Sequence, residues 1–328
     1  MTTIADVAKH AGLSRATVSR VINNYQYVTE EKKKLVRDAM NELGYYPNSS
    51  AQRLRNQKTN MIAILVPRLT NPFFTNIIEG IEKVAAENGL QLLICQTKSD
   101  KQKELNYFKL LKTKQVDGII LTAIENDWEK FSPFLDCGPI VLCNEYDEEA
   151  TVPMIRLNQF EGSYIGTRHL IERGHRKIGY CGGGSMSGLS TDRKNGLKKA
   201  LEDIGLTLNP DWIFLKRYSI EDGQKVMKEI AAMDDRPTAI FTGSDEVAAG
   251  VIKESKNSGI KVPEDLAVIG FDNQPIAEMI EPGLTTIEQP SEEIGEKAME
   301  TMVAVLNEQK FDTSLNGLSL ELVVRDST

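Results

Sequence analysis

In the stretch LSRATVSRVINN, residues 13–24, Arg15 and Arg20 stand beside the small residues Ala16 and Ser19. A helix turns by about 100° per residue, so these four side chains would share an outward face while Val18, Val21 and Ile22 form the opposite, apolar one. Arginines there can donate to guanine edges or phosphates, and small neighbours let the helix approach a thymine methyl. The chemistry offered is recognition of a duplex. A solvated basic face on a small helical bundle would give the same pattern, so the elements around it must decide.

Bond-making chemistry finds little support. Gly182, Gly183 and Gly184 follow an apolar run and could cradle a phosphate, but no GK[ST] follows them. His10, His169 and His175 have no triad or metal spacing, and His175 in RGHRKI reads as a capping residue in a helix-to-strand turn. Cys95, Cys137, Cys143 and Cys181 include no CxxC pair and read as buried, reduced thiols. With no GxSxG elbow either, the expectation is a protein that is not an enzyme, with no catalytic residues, no cofactor and no metal.

The elements that would carry the arginines are legible. Thr3 is an N-cap for a helix bearing Ile4, Val7, Ala8 and Ala11, Gly12 suits its C′ position, and Ser14 caps the next helix. Thr29 reads as the cap of a third, with Glu30 and Glu31 in its first turn, Leu35, Val36, Ala39, Met40 and Leu43 inward, and Gly44 as its stop. A tight turn between the first two helices makes a helix-turn-helix, whose second helix can enter the major groove. The segment PNSSAQRLRNQKT, residues 47–59, is basic and too short for a lone helix in water, which takes about 12 residues or more; it suits folding on the duplex, with Leu54 entering the minor groove. Charge agrees with this division. The chain of 328 residues carries a net −8, yet residues 1–60 hold ten cationic against five acidic side chains, +5, leaving −13 for the rest.

TIADVAKHAGLSRATVSRVIN followed by GYYPNSSAQRL closely resembles the lactose and galactose repressor (LacI/GalR) family of bacterial transcription regulators. The resemblance implies base reading by Arg15, Ala16 and Arg20, phosphate contacts by Thr3, Ser14, Thr17, Ser19 and Asn23, and a minor-groove hinge at Ala51 and Leu54. It also implies hinge helices that pair across a dimer and wedge open a central CpG step.

Beyond Met61, short β-branched runs (MIAILVP, LQLLIC, VDGIILTA, PIVLC, KIGYCGG, PTAIFTG, DLAVIGFDN) alternate with helical spacing, as in parallel sheets buried on both faces. The fold class expected is α/β: a three-helix helix-turn-helix headpiece (1–46), a hinge or linker (47–60), then two doubly wound parallel-sheet lobes (61–328). By the resemblance the lobes are of periplasmic-binding-protein type, the first spanning 61–156 and 286–316, the second 157–285 and 317–328. The effector residues it implies are Asn71, Phe73 and Phe74 after the first strand and the charged pair Arg193 and Asp272. Asn144, Asn158, Tyr218, Asp245 and Gln289 join them as residues at or near strand ends. Leu157 stands where many relatives carry an acid, and around GGGSMSGLSTDR Ser187 and Leu189 replace the arginine and threonine of purine-binding relatives, leaving a sugar or sugar derivative as the default.

The function expected is a repressor that binds pseudo-palindromic double-stranded operator DNA as a homodimer and responds to a small effector between its lobes. No apolar run suits a membrane and no signal peptide is present, so the cytoplasm is the expected site; no heptad tail follows Thr328, which favours dimers. Two alternatives stand beside it. One is control by a phosphorylated partner protein, as in the catabolite control proteins, opposed here by Glu300 where those carry a basic residue. The other is a sugar-binding protein without a DNA function.

Overall fold

The computed structural model describes residues 2–23, 25, 27–46, 58–184, 188–314 and 318–328, and the chain divides into two compact units, Met1–Lys58 and Thr59–Thr328. In the first, Thr3 begins α1 (Ile4–His10) with a capping box, its Oγ1 accepting from Asp6 N while its own N–H donates to the Asp6 carboxylate at 2.8 Å. Gly12, at φ 65°, turns the chain. Ser14 then caps α2 (Arg15–Ile22), accepting from Thr17 N at 3.1 Å. With α3 (Glu30–Glu42), these helices bury Val7, Ala8, Val18, Val21, Val36 and Ala39.

Two expectations for α3 are corrected. Thr29 stands at its N-cap with extended backbone but accepts no hydrogen bond through its side chain. Leu35 is exposed, because Val36, Ala39, Met40 and Leu43 complete the inward stripe and Leu35 falls beyond its edge.

The second unit contains two sheets. The first orders as β2-β1-β3-β4-β5, all neighbours parallel, from β1 (Met61–Val66), β2 (Gln91–Gln96), β3 (Gly118–Leu121), β4 (Ile140–Cys143) and β5 (Met154–Ile155). Its side chains alternate between two helical layers. Ile62, Ile64, Val66, Ile120 and Val141 face α4 (Pro72–Glu87) and α11 (Ser291–Leu306). Ala63, Leu65, Ile119, Leu121 and Leu142 face α5 (Lys101–Lys112) and the 3-10 helix Trp128–Cys137. Strand β2 is an edge strand and only Cys95 on it is fully buried, so burial on both faces does not extend to it. The helices α4 and α11 touch backbone to backbone: a Cβ on Gly80 would lie 2.0 Å from Glu292 O, and one on Gly295 2.2 Å from Ile77 O.

The second sheet orders as β11-β10-β9-β8-β6-β7. It comprises β6 (Ile178–Gly182), β7 (Ile213–Leu215), β8 (Ala239–Thr242), β9 (Ala267–Asp272), β10 (Thr285–Glu288) and β11 (Glu321–Val323), with α6 (Gln159–Glu172), α7 (Gly188–Glu202), α8 (Ile220–Ala231), α9 (Asp245–Asn257) and the short α10 (Ile276–Met279) around it. Here too the expectation is adjusted. The sheet is not wholly parallel, since β11 pairs antiparallel with β10. Residues 286–288 pair with β9, so the second crossover between lobes falls at Gln289 and Pro290. Thr59 and Asn60 belong to this unit, their backbone N–H groups donating to the Asp117 carboxylate.

Candidate functional site

On the first unit, α2 presents Arg15, Ala16 and Arg20 to solvent. The Arg20 guanidinium lies 6.0 Å from the centroid of the exposed Tyr25 ring, which packs edge-on against Tyr27. Thr3, Ser14 and Asn23 are exposed; Thr17 and Ser19 are half-buried. Several are engaged locally: Ser14 Oγ lies 2.9 Å from Thr17 Oγ1, and Asn23 Nδ2 donates to Ser19 O at 2.6 Å. Those bonds hold α2 in shape and fix the rims of its outward face. The expected hinge residues Ala51 and Leu54 lie outside the described residues, as does Ser187. The exposed aromatics Tyr25, Tyr27 and Tyr46 escaped the sequence reading; for the first two the signal was the polar and aromatic run directly after the arginine helix.

In the second unit the carboxyl ends of β1, β3 and β4 face those of β6, β8 and β9 across a cavity of about 170 Å³. From the first lobe come Asn71, Phe73, Phe74 and Asn144. Asn71 caps α4 by accepting from Phe73 N at 2.9 Å, while Phe73 and Phe74 pack edge to face at 5.3 Å. Asn144, at φ 69°, donates its backbone N–H to Ile155 O at 2.7 Å, and its buried Oδ1 has no hydrogen-bond partner among the described residues.

The second lobe supplies Arg193, Tyr218 and Asp272. Arg193 does not directly follow a strand but lies inside α7, where its buried guanidinium sits 3.6 Å from the Phe271 centroid and donates through Nη1 to Gly243 O at 2.9 Å. Asp272 ends β9 at φ 103°, a conformation that costs free energy in any residue but glycine and that concentrates at binding sites. Burial pushes its carboxyl up to about 6, against the pull of Arg193 and of hydrogen bonds from Gln289 and Gln274.

Behind this pair runs a chain of amides. Arg193 Nε donates to Gln159 Oε1 at 2.9 Å, Gln159 Nε2 to Gln289 Oε1 at 2.8 Å, and Gln289 Nε2 to Asp272 Oδ1 at 2.7 Å. Gln159 and Gln289 each stand at a crossover between the lobes, so the chain ties the charged pair to two of the hinge strands.

Three expected effector residues do not line this cavity. Asn158 is exposed and spends its side chain on capping α6, accepting from Glu161 N at 3.1 Å. Asp245 is fully buried, accepting from Gln274 N at 2.6 Å and from Thr286 Oγ1, and burial with the nearby Asp272 charge drives its carboxyl well above the usual range. Gln289 sits behind Asp272 in the amide chain. The sequence reading missed Arg68, Glu145, Gln159, Arg217 and Gln274. None belongs to a patterned motif, and only the folded chain brings them together.

Both rims of the cavity are bridged. Arg68 pairs with Glu246 at 3.0 Å, and Gln274 Nε2 donates to Asn71 Oδ1 at 3.1 Å. On the other side Leu189 N donates to Glu145 Oε1 at 3.2 Å, and the Tyr146 hydroxyl donates to Asp192 at 2.8 Å while Arg156 covers the tyrosine ring at 3.6 Å. The lobes are therefore closed on each other.

Among the described residues no cluster of His, Cys, Asp and Glu could hold a metal ion, and no helix is long and apolar enough to cross a membrane. The cysteines are free, with Cys95, Cys143 and Cys181 buried and Cys137 half-buried rather than fully buried as expected. His175 closes the turn after α6 through its backbone N–H, and its ring meets Thr238 Oγ1 at 3.1 Å instead of capping the helix.

Comparison with known proteins adds to this geometry. Residues 3–48 match the family model "Bacterial regulatory proteins, lacI family", and residues 167–328 match "Periplasmic binding protein-like domain". The chain is 45% identical over 329 residues to the NTD biosynthesis operon regulator NtdR of Bacillus subtilis (strain 168), all of both chains being covered. A LacI family transcriptional regulator from Lactobacillus casei, solved with bound sucrose, is similar at TM-score 0.75 and 31% identity, over 82% of this chain and 99% of that one. The lac repressor dimer bound to operator and the anti-inducer ONPF shares the fold at TM-score 0.86 over 99% of this chain and 98% of that one, with 24% identity.

Proposed function

Because the chain belongs to the LacI family of bacterial regulatory proteins, we propose that it represses transcription by binding a pseudo-palindromic operator as a homodimer under control of a small neutral polyol, a sugar or sugar derivative. It is a DNA-binding regulator and not an enzyme. The observation that carries the finer reading is the coexistence, in one chain, of the exposed Arg15, Ala16 and Arg20 face and a lobe-to-lobe cavity built around a buried Arg193–Asp272 pair.

Each half of the dimer reads one half-site, so the symmetry of the protein is mirrored in the DNA. Arg15 and Arg20 meet base edges, Ala16 allows close approach, and Thr3, Ser14, Thr17, Ser19 and Asn23 hold the phosphates. Ala51 and Leu54 enter the minor groove at the centre of the site. In the cavity, Arg193 and Asp272 offer a donor set and an acceptor to ligand hydroxyls, and Phe73 and Phe74 offer apolar faces. Effector binding changes the stability of the closed lobes and thereby the DNA affinity, a coupling of about 1–3 kcal/mol. The protein works in the cytoplasm, where its DNA is.

Footprinting of the intact protein on DNA upstream of its own gene and its neighbours should reveal a protected pseudo-palindrome whose occupancy changes with a sugar. No protection with or without sugars overturns the reading.

A further inference from the structure

The cavity between the lobes opens into a second one. Ile124, Glu125 and Tyr218 line both, and the outer cavity measures about 440 Å³ against about 170 Å³ for the inner. Lys101, Asp127, Asp147 and Lys216 supply further polar walls on the solvent side.

Tyr218 stands at the junction and is held there. Its hydroxyl accepts from Gly184 N at 2.9 Å, and its ring lies against Gly183, where an added Cβ would come within 3.3 Å of Cε1. The glycine run thus provides a flat seat for an aromatic ring. Although anchored, Tyr218 remains 43% exposed. A ring of fixed orientation with an open face and a tethered hydroxyl is suited to stacking on a partly apolar ligand at small entropic cost.

Three cationic side chains, Arg68, Arg193 and Arg217, and three acidic ones, Glu125, Glu145 and Asp272, line the inner cavity. An ionic ligand would upset that balance, whereas a neutral one keeps it. Two buried polar atoms on its walls lack partners among the described residues, Asn144 Oδ1, an acceptor, and Arg217 Nε, a donor. Leaving such atoms unbonded costs free energy, and ligand hydroxyls, which donate and accept, satisfy both.

Resting on the effector reading given above, we propose that the effector is a neutral carbohydrate of two units. One sugar ring occupies the inner cavity, bonded to Asn144, Arg217 and the Arg193–Asp272 pair. The second lies in the outer cavity with its apolar face on Tyr218.

The test is calorimetric titration of the intact protein with a panel of hexoses and a panel of disaccharides (maltose, cellobiose, sucrose, trehalose), repeated on Tyr218→Ala and, at the exposed outer wall, Lys101→Ala. At least one disaccharide should bind about tenfold tighter than any hexose, and each variant should narrow that ratio several-fold with an unchanged unfolding temperature. A hexose that binds as tightly as every disaccharide, or a ratio that neither variant alters, overturns the two-unit proposal and leaves a sugar effector standing. Absence of binding by both panels overturns the sugar effector itself, and this proposal with it.

Discussion

Asp272 is a carboxylate in a place where ionisation is costly, with its charge offset by Arg193 and two glutamine amides. Its carboxyl, pushed up to about 6, gives the cavity a pH dependence. If ligand hydroxyls donate to the anion, binding favours ionised Asp272, and affinity is full above that value and lost as pH falls through it. Titrating effector affinity from neutral to acid pH should show this decline, and Asp272→Asn should bind weakly at every pH with a flat profile. At this scale the sequence was readable where a residue type is scarce and placed by a motif, as with Arg193 in TDR and Asp272 in GFDN. It was silent on Gln159 and gave Gln289 as an effector contact instead of a link in the amide chain, because an uncharged polar residue at a strand end has the same appearance whether it faces a ligand, water or a buried partner. Asn158 shows the converse, a polar strand-end residue whose oxygen is taken by its own helix.

The headpiece helices allow a paired test of capping. Ser14 Oγ accepts a backbone N–H of α2, whereas Thr29 has the same position on α3 and accepts none. Ser14→Ala should therefore cost about 1 kcal/mol of headpiece stability and Thr29→Ala a few tenths, readable by thermal unfolding. Equal losses would show that position alone, without the bond, sets the cap's contribution. Elements long enough to show periodicity could be read from the sequence: the seven apolar runs became strands and the heptad-scale spacing became helices. The strands β5, β7, β10 and β11 could not, since β5, β7 and β11 have only two or three residues and β10, TTIE, lacks the continuous apolar run that marks the equally short β3, β4 and β8; their pairing is imposed by neighbours already in the sheet. For the same reason the second crossover lies a few residues from its expected place.

For the whole molecule, charge is divided between its ends, with +5 in residues 1–60 and −13 in the remainder. The acidic core repels a polyanion, so the basic headpiece alone must supply the attraction. With on the order of 6–10 phosphates neutralised, operator affinity should fall about 10³- to 10⁵-fold between roughly 50 and 200 mM salt, and a titration with little salt dependence would contradict this division. The chain of amides that joins Arg193 to Asp272 has a consequence at the same scale. Arginine can only donate and an ionised carboxylate can only accept, so the two ends dictate which way both glutamines point. The chain is a one-way circuit threaded through two of the strands about which the lobes pivot. A proton arriving on Asp272 makes one of its oxygens a donor, and each of them already receives a glutamine amide, Gln289 on Oδ1 and Gln274 on Oδ2, so acid acts on the pivot of the machine as well as on its grip.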